Sequence, residues 1–204
     1  SAIKKKQEGD YFENLISYAI TLNKLDQNFQ PTDGYLTSFK QTLPLYSDDS
    51  TIENSLKMSK YHAINDSLIL SAKLYLKTVN SLDDNVRVSK RVYIPSSRLR
   101  GFESGGIGPK DGSQYIGGNY GSAINLNTTL PNVLNGYENI DFNLFLDAAN
   151  LWHVDYDSSL DSDKIRSATG ISMNWFTPVG PLSFSYAIPI SEAKTDKTES
   201  FRFQ

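Results

Sequence analysis

The run Ser97-Arg98-Leu99-Arg100-Gly101-Phe102-Glu103-Ser104-Gly105-Gly106-Ile107-Gly108-Pro109 is the first stretch whose residue types invite chemistry. Glycines beside two arginines could cradle a phosphate on backbone amides. The Walker pattern, however, needs Gly-Lys-Ser/Thr to close it, and none follows. No strand-to-helix context surrounds the run either, which removes the dinucleotide fingerprint as well. Gly105, Gly106 and Gly108, with Gly117 and Gly118 further on, read instead as places where a loop folds tightly against other backbone. The acidic run Asp155-Tyr156-Asp157-Ser158-Ser159-Leu160-Asp161-Ser162-Asp163 has the look of a calcium loop. An EF-hand needs glycine at its sixth position and glutamate at its twelfth, where Leu160 and Arg166 stand, so a solvated loop is the better reading. His62 and His153 lie far apart with no ligand spacing around them. Cysteine is absent, which excludes disulfides and thiolate metal sites. No serine, histidine and acid fall at a nucleophile spacing. The chain is read as non-enzymatic, with no cofactor and no metal.

The elements that must position these residues follow a period of two. In Leu182-Ser183-Phe184-Ser185-Tyr186-Ala187-Ile188-Pro189-Ile190 every even position is large and apolar, and the odd positions are small or polar. Phe142–Ala148 and Leu68–Lys77 repeat the pattern, and further strands are expected at roughly 11–24, 35–46, 54–64, 115–130, 165–176 and 199–204. Turn chemistry separates them at Pro31–Gly34, Ser47–Ser50, Asn65-Asp66, Pro131-Asn132 and Pro178–Pro181. The fold class is all-β, an antiparallel meander of about nine strands with no helix. Connections near 31–34, 65–67, 131–138 and 177–181 read as short. Those near 47–53, 80–115, 153–164 and 191–198 read as long and polar. Short turns at one rim and long loops at the other describe a transmembrane barrel.

The charge of −3 over 204 residues leaves no basic footprint for nucleic acid. A mean hydropathy of −0.41 and the lack of a run of about 18 apolar residues exclude a membrane-spanning helix. Neither excludes a barrel, whose lipid-facing and lumen-facing residues alternate. A soluble β-sandwich or lipocalin-like barrel shares the period. Two features weigh against it: a polar face of Asn125, Asn127, Asn143, Asp147, Ser172, Asn174, Ser183 and Ser185, and aromatics at strand ends (Trp152, Trp175, Phe176). Ser1–Lys6 is basic, but no apolar segment follows it as in a secretory leader, so an exported protein would be longer than this sequence.

Leu99-Arg100-Gly101-Phe102, followed by Gly106-Ile107-Gly108-Pro109, resembles the RGF…IGP element of the BamA type of outer-membrane β-barrel assembly protein. Ile116-Gly117-Gly118-Asn119 resembles the start of that family's next strand. Phe145–Trp152 resembles its aromatic-x-Asp strand. Arg166–Ile171 with Trp175–Ala187 resembles its penultimate hairpin. The motifs cover about 98–190, while 11–90 agree in strand rhythm only. The TamA type and the two-partner secretion transporters share the RGF loop, but the run Gly180-Pro181-Leu182-Ser183-Phe184-Ser185-Tyr186-Ala187 favours the BamA type.

The resemblance implies that 1–204 is the C-terminal part of a sixteen-strand barrel, with a long loop at about 80–115 folded into the lumen. It implies periplasmic POTRA repeats upstream that this sequence lacks, and a closing strand that stops short at Phe201-Arg202-Phe203-Gln204. The implied function is insertion of unfolded β-barrel clients into the outer membrane through a weak seam. Membrane lipid and periplasmic accessory lipoproteins are the further partners implied. A TamA-like factor or a two-partner secretion pore is the alternative. Within the lumen the resemblance and the alternation together place Arg100 against Asp147, with Gly101 permitting close approach. Asn127 stands where the family tends to carry a glutamate, which weakens the case for a two-carboxylate clamp. Ala149 stands where it has glycine.

Overall fold

Alternation assigns one set of side chains to each face of a strand, so such a chain forms sheet wherever both faces find a suitable surrounding. A computed structural model describes residues 6–65, 68–130 and 139–203. Its long strands are β1 (Glu13–Leu25), β2 (Gly34–Ser47), β3 (Thr51–Ala63), β4 (Ile69–Ser81), β8 (Tyr120–Leu130), β9 (Ile140–Trp152), β10 (Arg166–Thr177) and β11 (Gly180–Ser191). Four two-residue strands lie in the loops: β5 (Gly101–Phe102), β6 (Lys110–Asp111), β7 (Gln114–Tyr115) and β12 (Thr198–Glu199). The last strand is β13 (Phe201–Phe203). The sheet is a nine-stranded antiparallel meander in the order β1-β2-β3-β4-β8-β9-β10-β11-β13, with β1 and β13 as its two edges. Among the described residues it does not close on itself.

The register sorts the chain into two chemically opposite surfaces. Across one row run Thr128, Leu144, Ile171, Tyr186 and Phe201. A neighbouring row, displaced by one residue on each strand, runs Thr129, Asn143, Ser172, Ser185 and Arg202. On the convex side Tyr186 is 51 % exposed and Ile188 56 %, while Ala187 between them is buried on the concave side. The eight long strands have 11 to 14 residues. At roughly 3.3 Å per residue and a tilt near 45°, that length spans an apolar band of about 25 Å.

The hydrophobic core lies inside the curve of the sheet rather than between layers. Val86, Val92, Ile94, Leu99, Phe102 and Ile107 from the segment 82–119 pack on Tyr75, Val79, Ala123, Ala149, Leu151 and Ala168 of the wall. Apolar loop residues thus obtain the burial that a water-filled interior would deny them.

Some boundaries differ from the sequence reading. The connection expected to be long at 47–53 is a three-residue turn, Asp48–Ser50, because β2 and β3 run on to Ser47 and from Thr51. The Asp48 carboxylate accepts from the Phe12 amide and Asp83 accepts from the Ser50 amide, stapling that turn to its flanks. The strand expected from 115 begins at Tyr120. Residues before it are drawn into the loop, where Gly118 bridges Val92 and the Asn119 amide donates to the His153 carbonyl. In the expected turn at Asn65-Asp66, Asn65 accepts from the Leu68 amide, and Asp66 lies outside the described residues. The turn at Pro131-Asn132 lies outside them too, as does Gln204.

Candidate functional site

The concave face of β8 and β9 carries Asn125, Asn127, Phe145 and Asp147 side by side, since Asn125 pairs with Asp147 and Asn127 with Phe145 across the two strands. Into this face the segment 82–119 inserts Arg100. Its Nε donates to Asp147 Oδ2 at 2.7 Å and its Nη2 to Asp147 Oδ1 at 2.7 Å, the two-pronged geometry that a planar guanidinium makes with a carboxylate. The Arg100 amide adds a third bond to Oδ2 at 3.0 Å. Asn127 Oδ1 accepts from the same Nη2 at 2.8 Å, so the position lacking a second carboxylate still contributes an acceptor. The guanidinium carbon sits 3.5 Å from the Phe145 ring centre, over the negative face of the π system.

Asp147 is 0 % exposed, and a buried carboxylate is tolerable only when its lone pairs are occupied. Asn125 completes that shell: its Nδ2 donates to Asp147 Oδ1 at 2.8 Å and to the Arg98 carbonyl at 2.9 Å, tying wall, carboxylate and loop together.

Gly101 has φ +90, and a Cβ there would come within 3.1 Å of Ala168 Cβ and 3.2 Å of Ala187 Cβ. Glycine both adopts this backbone and lets the loop lie flat on β10 and β11. Phe102, 1 % exposed, anchors the loop in the core. At Gly118 a Cβ would meet the Trp152 carbonyl at 2.5 Å. Gly117 faces the Val92 carbonyl, Gly108 faces Leu151, and Gly106 packs between Glu103 and Lys197. Gly105 is the most open of these five, with only Tyr93 in range.

The segment before β13 grips the same loop. β5 pairs with β12, Glu103 N donates to the Lys197 carbonyl at 2.9 Å, and Lys197 N donates to Gly106 at 2.8 Å. Arg202 Nη2 donates to the Phe102 carbonyl at 3.0 Å, and its guanidinium also binds Glu199. Phe201 and Phe203 of the same strand point the other way, Phe203 meeting Phe184 at a tilt with ring centres 4.9 Å apart.

Several of these groups escaped sequence reading. The ring of Phe145 under Arg100, the bridge through Asn125 and the reach of Arg202 depend on register and loop path, which composition does not encode. Arg166, 1 % exposed, pairs with Asp196 through bonds of 3.0 and 3.1 Å and bonds Asn150, Ser162 and Lys164, clipping two loops together. In the acidic run 155–163, Asp157, Asp161 and Asp163 are exposed, as in a solvated loop, while Asp155 turns inward. Asp155 binds Arg91, the Val86 amide and Asn119, while Asp157 caps the turn Ser158–Leu160. The hydrogen bond from the Ser159 hydroxyl, with its amide, lowers the Asp157 carboxyl below its ordinary value. Burial raises the loop hydroxyls of Tyr93 and Tyr156. His62 stands exposed beside Asp33 and His153 stacks on Tyr120. No group of His, Cys, Asp and Glu suited to a metal ion occurs among the described residues.

A sheet wet on its concave face, apolar on its convex face and filled by an inward loop defines the wall of a transmembrane β-barrel. The Omp85 superfamily domain matches residues 1–204, and the chain belongs to that superfamily. It is 27% identical over 214 residues to the outer membrane protein assembly factor BamA of Nitratidesulfovibrio vulgaris, covering 99% of this chain and 26% of that protein. It is also 27% identical over 206 residues to BamA of Neorickettsia risticii, covering 98% and 28%. A SAM50-like protein of Schizosaccharomyces pombe is 26% identical over 208 residues, 93% of this chain and 43% of that protein. The crystal structure of BamA from Haemophilus ducreyi lacking POTRA domains 1-3 superposes with a TM-score of 0.84 at 28% identity, covering 93% of this chain and 41% of that one. The chain therefore spans about a quarter of the length of the Nitratidesulfovibrio and Neorickettsia relatives. Its meander is part of an outer-membrane β-barrel.

Proposed function

We propose that this chain is the C-terminal part of the barrel of a non-catalytic machine that inserts β-barrel proteins into the outer membrane. The observation that carries the reading is the inward loop held midway along its length from two sides: Arg100 to Asp147 on β9, and the Phe102 carbonyl to Arg202 on β13. In this reading Arg100, Gly101, Phe102, Asp147 and Asn127 form a lock that holds the loop. Gly105, Gly106, Gly108, Gly117 and Gly118 let it pack, and Phe201, Arg202 and Phe203 belong to the seam strand.

The physical logic lies at the edge. A strand with unpaired N–H and C=O groups templates an incoming strand. Opening that edge in lipid costs several kcal/mol for each orphaned group unless a client strand replaces the lost pairing as it breaks. Clients are then unfolded barrel proteins. Accessory lipoproteins would bind the periplasmic part of the whole protein, and lipid would bathe the convex face.

The test is depletion of the full-length protein, followed by heat-modifiable electrophoresis of outer-membrane barrels. Folded barrels should fall broadly, and a copy carrying Arg100→Ala should restore them poorly. Loss of one secreted partner with barrel assembly intact would overturn the reading and point to a two-partner secretion pore.

A further inference from the structure

Away from the docked arginine, four cations converge on the concave wall with little to balance them. Lys40 on β2 and Lys77 on β4 lie directly opposite Ser55 on its two sides, and Lys57 follows two residues along β3 on the same face. Arg98, in the turn Ser96–Arg98, holds its guanidinium 5.3 Å from the Tyr75 ring centre. With Glu53 these side chains line a cleft of ≈ 370 Å³ between wall and loop. Like charges on neighbouring strands destabilise a sheet unless something answers them. Lys77 has an answer, 3.1 Å from Glu53. Arg98 has an aromatic face. Lys40 and Lys57 have no carboxylate partner among the described residues.

We infer that this cleft binds a multiply charged phosphoryl oxyanion from solution. Compact ammonium groups on flexible stems suit phosphoryl oxygens, and Arg98 adds a fork of donors. The hydroxyls of Ser55 and Ser97 line the same space as neutral donors. A single carboxylate would leave most of the surplus charge unanswered, whereas a pyrophosphate-like group matches it. The source is a free anion and not a lipid headgroup. Leu56, Leu74 and Leu76 alternate with the cleft residues on these strands and take the lipid face, so the cleft opens to the barrel interior. The loop supports the geometry, because Asn125 holds the Arg98 carbonyl at 2.9 Å and fixes the fourth cation above the wall.

The experiment titrates inorganic pyrophosphate into the full-length protein in phosphatidylcholine nanodiscs at low ionic strength, by calorimetry. Saturable binding is expected, tighter than that of inorganic phosphate. Lys40→Gln and Lys57→Gln should each weaken it about tenfold, the loss of one charge-assisted contact, and the double variant further. Lys164→Gln, on an exposed loop, should bind as the parent does. Should the double variant lose its heat-modifiable fold, the single variants decide. No saturable binding, equal affinity in the lysine variants, or binding only when anionic phospholipids are added to the disc would each overturn the inference.

Discussion

Arg100 and Asp147 illustrate how a buried ion pair is held within a membrane protein's interior. The carboxylate is fully enclosed, yet every approach to it is occupied: two guanidinium nitrogens, the Arg100 amide and Asn125. Removing Arg100 strands a fully buried carboxylate, and removing Asp147 leaves a guanidinium that is only 15 % exposed without its anion. Arg100→Ala or Asp147→Ala is therefore expected to destabilise the fold by about 3–5 kcal/mol. The double variant should lose less than the sum, with a coupling of about 1–3 kcal/mol. Chemical unfolding of the intact protein in detergent, followed by heat-modifiable electrophoresis, gives the four corners of the cycle. Strict additivity would mean that the two side chains do not act as a pair. Asn127 matters less by the same argument, since its carbonyl oxygen is one neutral acceptor beside an already paired guanidinium.

At the scale of the strand, side-chain alternation carries the whole claim of a membrane wall. A slip of one residue in β11 would send Phe184, Tyr186 and Ile188 to the interior and Ser183, Ser185 and Ala187 to lipid, so register is strongly specified. Hydrogen bonds on the concave face reinforce it. Ser183 donates to Asn174 at 2.8 Å and Thr129 donates to Asn143 at 2.8 Å. Spin labels placed at Phe184→Cys and Ser185→Cys in the intact protein should report opposite environments. The first should be relaxed by oxygen dissolved in lipid and the second by a water-soluble nickel complex. Equal accessibility at the two positions would remove the barrel reading of β11. The edge strand β13 has only three residues, and it joins β11 by Phe184, Ser185 and Tyr186.

For the whole molecule, the segment 82–119 serves as the core. A half-barrel has no second layer to cover its concave face, and the loop supplies one through Leu99, Phe102 and Ile107. The same segment bonds the wall on one side and the approach to β13 on the other, so its docking and the order of the last strand are mechanically joined. Arg87, Lys90, Arg91, Arg98, Arg100 and Lys110 all lie in it. Trypsin should nevertheless leave it uncut in the native full-length protein reconstituted into liposomes. Phe102→Ala, which empties the anchor site at a cost of about 3–5 kcal/mol, should expose it. Cleavage at equal rates in parent and variant would show that the loop is not held by its core contacts.

Sequence alone determined the class of this protein. Period-two patterning separates a lipid face from a wet face through local geometry, without knowledge of neighbours, so β11 and β9 were legible from Leu182–Ile190 and Phe142–Ala148. The ordered run from Leu99-Arg100-Gly101-Phe102 to the hairpin at Trp175–Ala187 pointed to the family for the same reason: motif order is a property of the chain. The tertiary structure alone decided what depends on distance through space. It brought Phe145 under a guanidinium 45 residues away in sequence, set Asn125 between the Arg98 carbonyl and Asp147, and carried Arg202 to Phe102. It also shortened the turn at Asp48–Ser50 and converted part of an acidic loop into a partner for Arg91. Those outcomes follow from where a long loop lands on a curved sheet. That landing is fixed by packing and register over many strands at once, and no local pattern of residues records it.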